Sequence, residues 1–185
     1  EQRIFEKGIL ENCVKIKGVN FGLPICEDIW KETVLKKLSK SGAEIIVAIN
    51  ASPFTMSKHD ERNDIALCRV KETKLPIVYL NRTGGQDELI FDGSSFSLNY
   101  DGKKFSSLEE FKEDISIINF KKDNGKWIGY GNVKENSSKS ERLYKALVLG
   151  LRDYVKNNKF SGVVLGLSGG VDSALVAALA TDAFG

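Results

Sequence analysis

Two nearly uninterrupted apolar runs, residues 44–50 and 75–81, stand on either side of an amphipathic segment and restrict the fold more than any other feature of the chain. Runs of that kind fit strands buried on both faces inside a layered sheet. Residues 57–74 between them carry helical spacing, with Ile65 and Cys68 turned inward together with Ala66 and Leu67. Upstream, residues 13–25 alternate imperfectly through Val14, Ile16, Val19, Phe21 and Leu23, which predicts strand with a hairpin or bend at Gly18 and Gly22. Residues 31–41 read as helix through Val34, Leu35 and Leu38, and Gly42 stops it. Downstream come a glycine-rich loop over 82–93, a strand over 94–100, a hairpin turn at Asp101-Gly102 and a further strand over 115–120. The sum is a mixed, layered α/β domain to about Phe120.

Between 121 and 140 the composition shifts to Lys, Asn, Ser and Gly, the signature of a connector. A new helix starts near Glu141, then a short strand is expected over 162–167 and a helix over 174–184. The turn between these last two is Gly166-Leu167-Ser168-Gly169-Gly170-Val171-Asp172-Ser173. A strand passing through serine and glycines into a helix points several backbone N–H groups at the helix N-terminus, where a phosphate chain can be held. No lysine follows the glycines, which separates the motif from the G-x-x-x-x-G-K-[ST] loop. Asp172 beside phosphates would repel them without a cation between, so Mg2+ is implied. One strand cannot make a parallel sheet, so the second domain is expected to be incomplete.

The 185 residues suffice for one domain and part of another, and a net charge of +2 gives no reason to expect nucleic acid or an anionic membrane as partner. No apolar run is long enough to span a bilayer. The chain opens on Glu1 without a secretory pattern. Cys13, Cys26 and Cys68 are too widely spaced for a disulfide framework or a metal motif, and His59 is the sole imidazole. A soluble protein of the reducing cytoplasm is the expectation.

Cys26 falls where a strand ends, which is where α/β architectures place reactive groups. Glu27 and Asp28 follow it and would raise the thiol pKa if they lay close. By spacing alone the thiol serves equally well as a small core side chain or as a nucleophile. Nothing in the sequence brings His59 to it. Ser52, before Pro53, reads as a simple turn residue, and Lys58 at a helix start reads as solvated.

Ser168-Gly169-Gly170-Val171-Asp172-Ser173 resembles the pyrophosphate loop of the ATP pyrophosphatases, which cleave ATP between its α and β phosphates. Leu23-Pro24-Ile25-Cys26-Glu27-Asp28-Ile29-Trp30 resembles the nucleophile segment of the nitrilase superfamily, in the form found in glutamine-dependent NAD synthetases. The stretches 81–93 and 146–155 are similar to further segments of the same enzymes. The resemblance implies the C-terminal part of a nitrilase-like αββα sandwich over 1–120 and a linker over 121–140. Over 141–185 it implies the start of a doubly wound parallel-sheet domain, of the adenine nucleotide alpha hydrolase-like kind.

It further implies that Cys26 attacks the glutamine amide, that Ser52 and Lys58 bind glutamine, and that Gly166 to Ser173 hold ATP with Asp172 on magnesium. The product would be NAD made from deamido-NAD, by a homo-oligomer when full length. The opening Glu1-Gln2-Arg3-Ile4-Phe5-Glu6-Lys7-Gly8 resembles the segment just after the family's oxyanion lysine. The glutamate base and that lysine are therefore expected upstream, and the chain is expected to be a fragment without glutamine-driven activity of its own. Rival expectations are another pyrophosphate-loop amidotransferase, a free-standing amidase, and a non-catalytic nucleotide-binding or partner chain.

Overall fold

The computed structural model describes residues 13–185. The expectation attached to Glu1 to Gly8 lies outside them. Strands β1 (Val14–Ile16) and β2 (Val19–Gly22) form an antiparallel hairpin, helix α1 spans Glu32–Lys40, and β3 (Ile45–Asn50) follows. Helix α2 (Lys58–Thr73) then leads to β4 (Ile77–Asn81). Strands β2, β3 and β4 run parallel, as the two buried runs predict, and β7 (Phe96–Leu98) and β8 (Lys104–Ser107) add antiparallel to give the order β1-β2-β3-β4-β7-β8.

Helices α1 and α2 cover one face of this sheet. Val34, Leu35 and Leu38 of α1 meet Ile46, Ala48 and Ile77 of the strands and Ala66 and Val70 of α2 in one buried cluster. Each such valine, leucine or isoleucine side chain contributes about 1.5–3 kcal/mol relative to exposure. On the opposite face Ile49 and Leu80 stay nearly half exposed, so the described residues supply one helix layer and one sheet layer of the αββα architecture.

Five local expectations need correction. On α2, Ala66 is buried and Leu67 packs on the core as expected, but Cys68 is exposed, and the inward face is completed by His59, Arg62, Arg69 and Val70, three of them polar residues that hydrophobic spacing does not select. Residues 82–93 are not a loop but the hairpin of β5 (Thr83–Gln86) and β6 (Leu89–Asp92). The glycines there admit a neighbouring helix: a Cβ on Gly85 would stand 3.0 Å from Asp153 Cβ.

The strand expected over 115–120 begins only at Asn119, with Ile115 and Ile117 exposed. It is β9 (Asn119–Asp123), paired with β10 (Lys126–Tyr130), so residues 121–130 are a hairpin rather than a connector. Asn124 and Gly125 at its tip both have positive φ, as a tight two-residue turn requires. The ring of Phe105 lies on Gly129, and Asn99 bonds both backbone groups of Gly129, which fastens the hairpin to β7 and β8. Finally, residues 162–167 form no strand, since among the described residues none lies alongside to share a hydrogen-bond ladder.

Helix α3 (Lys139–Asn157) starts where Glu141 predicts, capped by the Ser138 hydroxyl, which accepts from Glu141 N at 3.2 Å. It packs on β5 and β6 and on α4 (Val171–Phe184), where Tyr144 Oη donates to Asp182 at 2.7 Å.

Candidate active site

Parallel β2, β3 and β4 end on one edge of the sheet, and an edge of this kind is where open α/β sheets bind ligands. The chain after β2 continues alongside β3, with Ile49 N donating to Pro24 O at 3.2 Å and Ile25 bridging Ile49. It then turns at Cys26, whose φ of +48° lies in the left-handed region. A non-glycine residue there carries strain of about 1–3 kcal/mol, and such residues cluster at functional sites. A five-residue 3-10 turn, Cys26–Trp30, follows directly.

The two carboxylates after Cys26 are engaged elsewhere. Asp28 Oδ2 accepts from Ile25 N at 3.0 Å while Asp28 N donates to Ile25 O at 3.0 Å, and Glu27 pairs with Lys31 at 3.3 Å. The thiol itself is half-buried. His59 is not its partner: it is buried on α2, and desolvation, with Arg142 and Lys104 nearby, holds its pKa below the ordinary histidine value.

Ser52 follows β3 on the same edge and is buried. Its N–H donates to Asn81 Oδ1 at 2.9 Å and its carbonyl accepts from Asn81 Nδ2 at 3.2 Å, so the end of β4 clamps the turn after β3. From α2, Arg62 donates to Ser52 Oγ (3.1 Å), Ser52 O (2.8 Å) and Pro53 O (3.0 Å). The same guanidinium grips both carboxylate oxygens of Asp92, at 2.7 and 2.9 Å, and both residues are 1% exposed.

Tyr79 stands beside this group. Burial pushes its phenol up to about 12, against the opposing influence of Arg62 and the Ser52 hydroxyl. Lys58 at the start of α2 pairs with Glu61 at 2.8 Å and lies over the Trp30 ring at 4.5 Å. That contact ties it to the turn that Cys26 begins. Cys26, Ser52 and Lys58 therefore share one edge of the sheet.

Arg62, Asp92, Asn81 and Tyr79 were not legible as a set. The available signal was an arginine in the apolar phase of α2, four residues before Ala66 and three after His59.

The loop ahead of α4 is exposed throughout. Ser168 Oγ and Ser173 Oγ lie 3.0 Å apart, Ser173 Oγ donates to Gly170 O at 3.0 Å, and Gly169 has φ +84°. The first backbone bond of the helix is Ala174 N to Gly170 O, which leaves earlier N–H groups of its first turn free to meet an anion. Asp172 lies in that first turn. Among the described residues no cluster of three His, Cys, Asp or Glu could hold a metal ion alone. A single carboxylate nevertheless fits magnesium, which binds through one or two carboxylates together with substrate phosphates.

This sheet, with a strained thiol at the carboxyl edge of its parallel strands, defines a class. Residues 1–128 match the carbon-nitrogen hydrolase family model, and the chain belongs to that family. Residues 143–185 match the NAD synthase model. The chain is 41% identical to the glutamine-dependent NAD(+) synthetase of Rhodobacter capsulatus and 40% identical to that of Acinetobacter baylyi, in each case over the whole chain and 34% of the relative. It thus spans about a third of the length of the curated relatives it matches.

The solved glutamine-dependent NAD+ synthetase of Acinetobacter baumannii, in complex with ADP, superposes with a TM-score of 0.88 at 40% identity, covering 100% of this chain and 35% of that one. A carbon-nitrogen hydrolase from Helicobacter pylori shares the fold at 16% identity, with a TM-score of 0.56 over 86% of this chain and 56% of its own. Among the described residues no helix is long and apolar enough to cross a membrane.

Proposed function

We propose that the chain is part of an enzyme that amidates deamido-NAD to NAD, with ammonia taken from glutamine and ATP as the activating substrate. The observation that carries this reading is the combination, on one chain, of a strained Cys26 beside the clamped Ser52 turn and an exposed serine-glycine loop opening α4. The matches to glutamine-dependent NAD(+) synthetases support it.

In this reading Cys26 Sγ attacks the glutamine carboxamide carbon, the C–N bond breaks, and ammonia leaves as the thioester forms. Water then releases glutamate. Ser52 and Lys58 hold the amino acid. The step calls for a carboxylate base and a cationic oxyanion donor, and among the described residues no side chain hydrogen-bonds Cys26 Sγ. Gly166, Leu167, Ser168, Gly169, Gly170, Val171, Asp172 and Ser173 hold the ATP phosphates, and Asp172 would hold magnesium, which supplies positive charge between the phosphates and the carboxylate. The deamido-NAD carboxylate attacks the α-phosphorus, pyrophosphate leaves, and ammonia displaces AMP. Three unpaired cysteines suit a reducing compartment, so we place the protein in the cytoplasm. The division into two domains is kept as part of this proposal, with the connector expected over 121–140 reduced to the stretch between the β9–β10 hairpin and α3.

Cys26→Ala in the full-length protein is expected to abolish NAD formation from glutamine and to leave formation from added ammonium. Equal loss of both rates would overturn the assignment of Cys26.

A further inference from the structure

We propose that Arg62 is a positioning residue that turns Ser52 into an obligate hydrogen-bond donor toward the substrate. The inference rests on the reading above, in which Ser52 meets glutamine.

A guanidinium has five N–H donors. Arg62 turns every nitrogen on a protein oxygen: Nε on Ser52 Oγ, Nη1 on the Asp92 carboxylate, and Nη2 on the Ser52 and Pro53 carbonyls. With 1% of its surface exposed, it leaves no room for a ligand to reach it. Its role is therefore exerted through Ser52.

That role is specific. The Ser52 oxygen accepts a charge-assisted bond, which polarises its own O–H. Among the described residues no acceptor takes that proton at hydrogen-bonding geometry. The Tyr79 hydroxyl, whose pKa the Ser52 hydroxyl lowers, would be the internal acceptor, but it has no hydrogen-bond partner at that geometry. Ser52 thus presents a strengthened donor to whatever enters the edge, and the group it meets must be an acceptor: a carboxylate or carbonyl oxygen rather than an ammonium. Lysine could not substitute, because one ammonium cannot reach Oγ, two carbonyls and a carboxylate together.

The test measures KM and kcat for glutamine in the full-length protein for S52A, R62K and the double variant. S52A and R62K are each expected to raise the glutamine KM about tenfold, the loss of one charge-assisted bond, with kcat changed far less. The double variant is expected to match S52A alone, because Arg62 acts through the hydroxyl that S52A removes.

An unchanged KM in R62K, or single effects that multiply in the double variant, overturns the proposal while leaving Ser52 assigned. An unchanged KM in S52A overturns the assignment of Ser52 itself, and the proposal with it. If R62K does not fold, by circular dichroism, Asp92→Asn replaces it, since it frees the guanidinium from its anchor. Its KM is expected to rise in the same way, and not to rise further when combined with S52A. A wild-type KM in Asp92→Asn, or multiplied effects with S52A, then counts against the proposal.

Discussion

Glu44 shows how much one exposed-looking carboxylate can hold. Its Oε1 accepts from Lys122 Nζ at 2.7 Å and from Trp127 Nε1 at 3.2 Å, while Oε2 accepts from Asn20 N at 3.1 Å. These bonds, the Lys122 contact first, pull its pKa from the usual 4.5 to about 2. A carboxylate depressed on folding contributes stability above its unfolded pKa, and that contribution fades as pH falls through the folded value. The β9–β10 hairpin is therefore expected to loosen between about pH 4.5 and 2. Peptic cleavage beside Trp127 measures this: Glu44→Gln should be cut faster than the wild type near pH 4.5, and the two rates should converge toward pH 2. A constant ratio across that range would show that Glu44 does not hold the hairpin. None of this was readable in advance, because Glu44 and Trp127 lie 83 residues apart and hydrophobic pattern says nothing of polar clamps at that range. The same blindness hid Arg62, whose charge argues for a surface position until Asp92 is known to face it.

Where an element owes its existence to local pattern, the sequence shows it. The β1–β2 hairpin, α1, the β3–α2–β4 unit and the start of α3 all follow from spacing and turn residues. Where it owes its existence to a distant neighbour, composition misleads. The β9–β10 strands are rich in lysine because one side faces water, and β10 turns Trp127 and Gly129 toward the rest of the domain. Gly129 is decisive for that docking. A Cβ there would fall 2.2–2.6 Å from the Phe105 ring, which is too close, and a buried aromatic ring has little room to yield. Gly129→Ala is expected to cost about 1–3 kcal/mol by overpacking. The lost stability should appear as a lowered denaturation midpoint with an unchanged slope. A midpoint equal to the wild type's would mean that the ring is free to swing away. In the same way β5 and β6 read as loop because their glycines serve α3 rather than a turn.

At the scale of the molecule, the Ser52 turn and α3 are parts of one packed unit. Phe54 N donates to Ile90 O at 2.7 Å, and the Phe54 ring meets Phe111 edge-on at 5.3 Å. Phe111, Ala146 and Leu149 form a second buried cluster on which Phe54 and Ile90 pack. At the far end of the hairpin Gly85 N donates to Asp153 Oδ2 at 2.7 Å, and Asn157 Nδ2 donates to Gly85 O at 3.2 Å. The β5–β6 hairpin is thus pinned at Asp92 by Arg62 of the thiol-bearing half and at Gly85 by α3 of the half that carries the 166–173 loop. Asp153 is the one charged group in the second contact, and a bond from backbone N–H to a carboxylate is worth about 1.5–3 kcal/mol. Asp153→Ala should therefore raise amide exchange at Gly85 by about tenfold or more, since each 1.4 kcal/mol is tenfold in an opening equilibrium. Amides of β3 and β4 should keep their protection, because their hydrogen bonds and the first core lie on the other side of the Arg62–Asp92 pair. Unchanged exchange at Gly85 would show that the apolar cluster alone seats the hairpin, whereas lost protection in β3 would mean that the two cores open together.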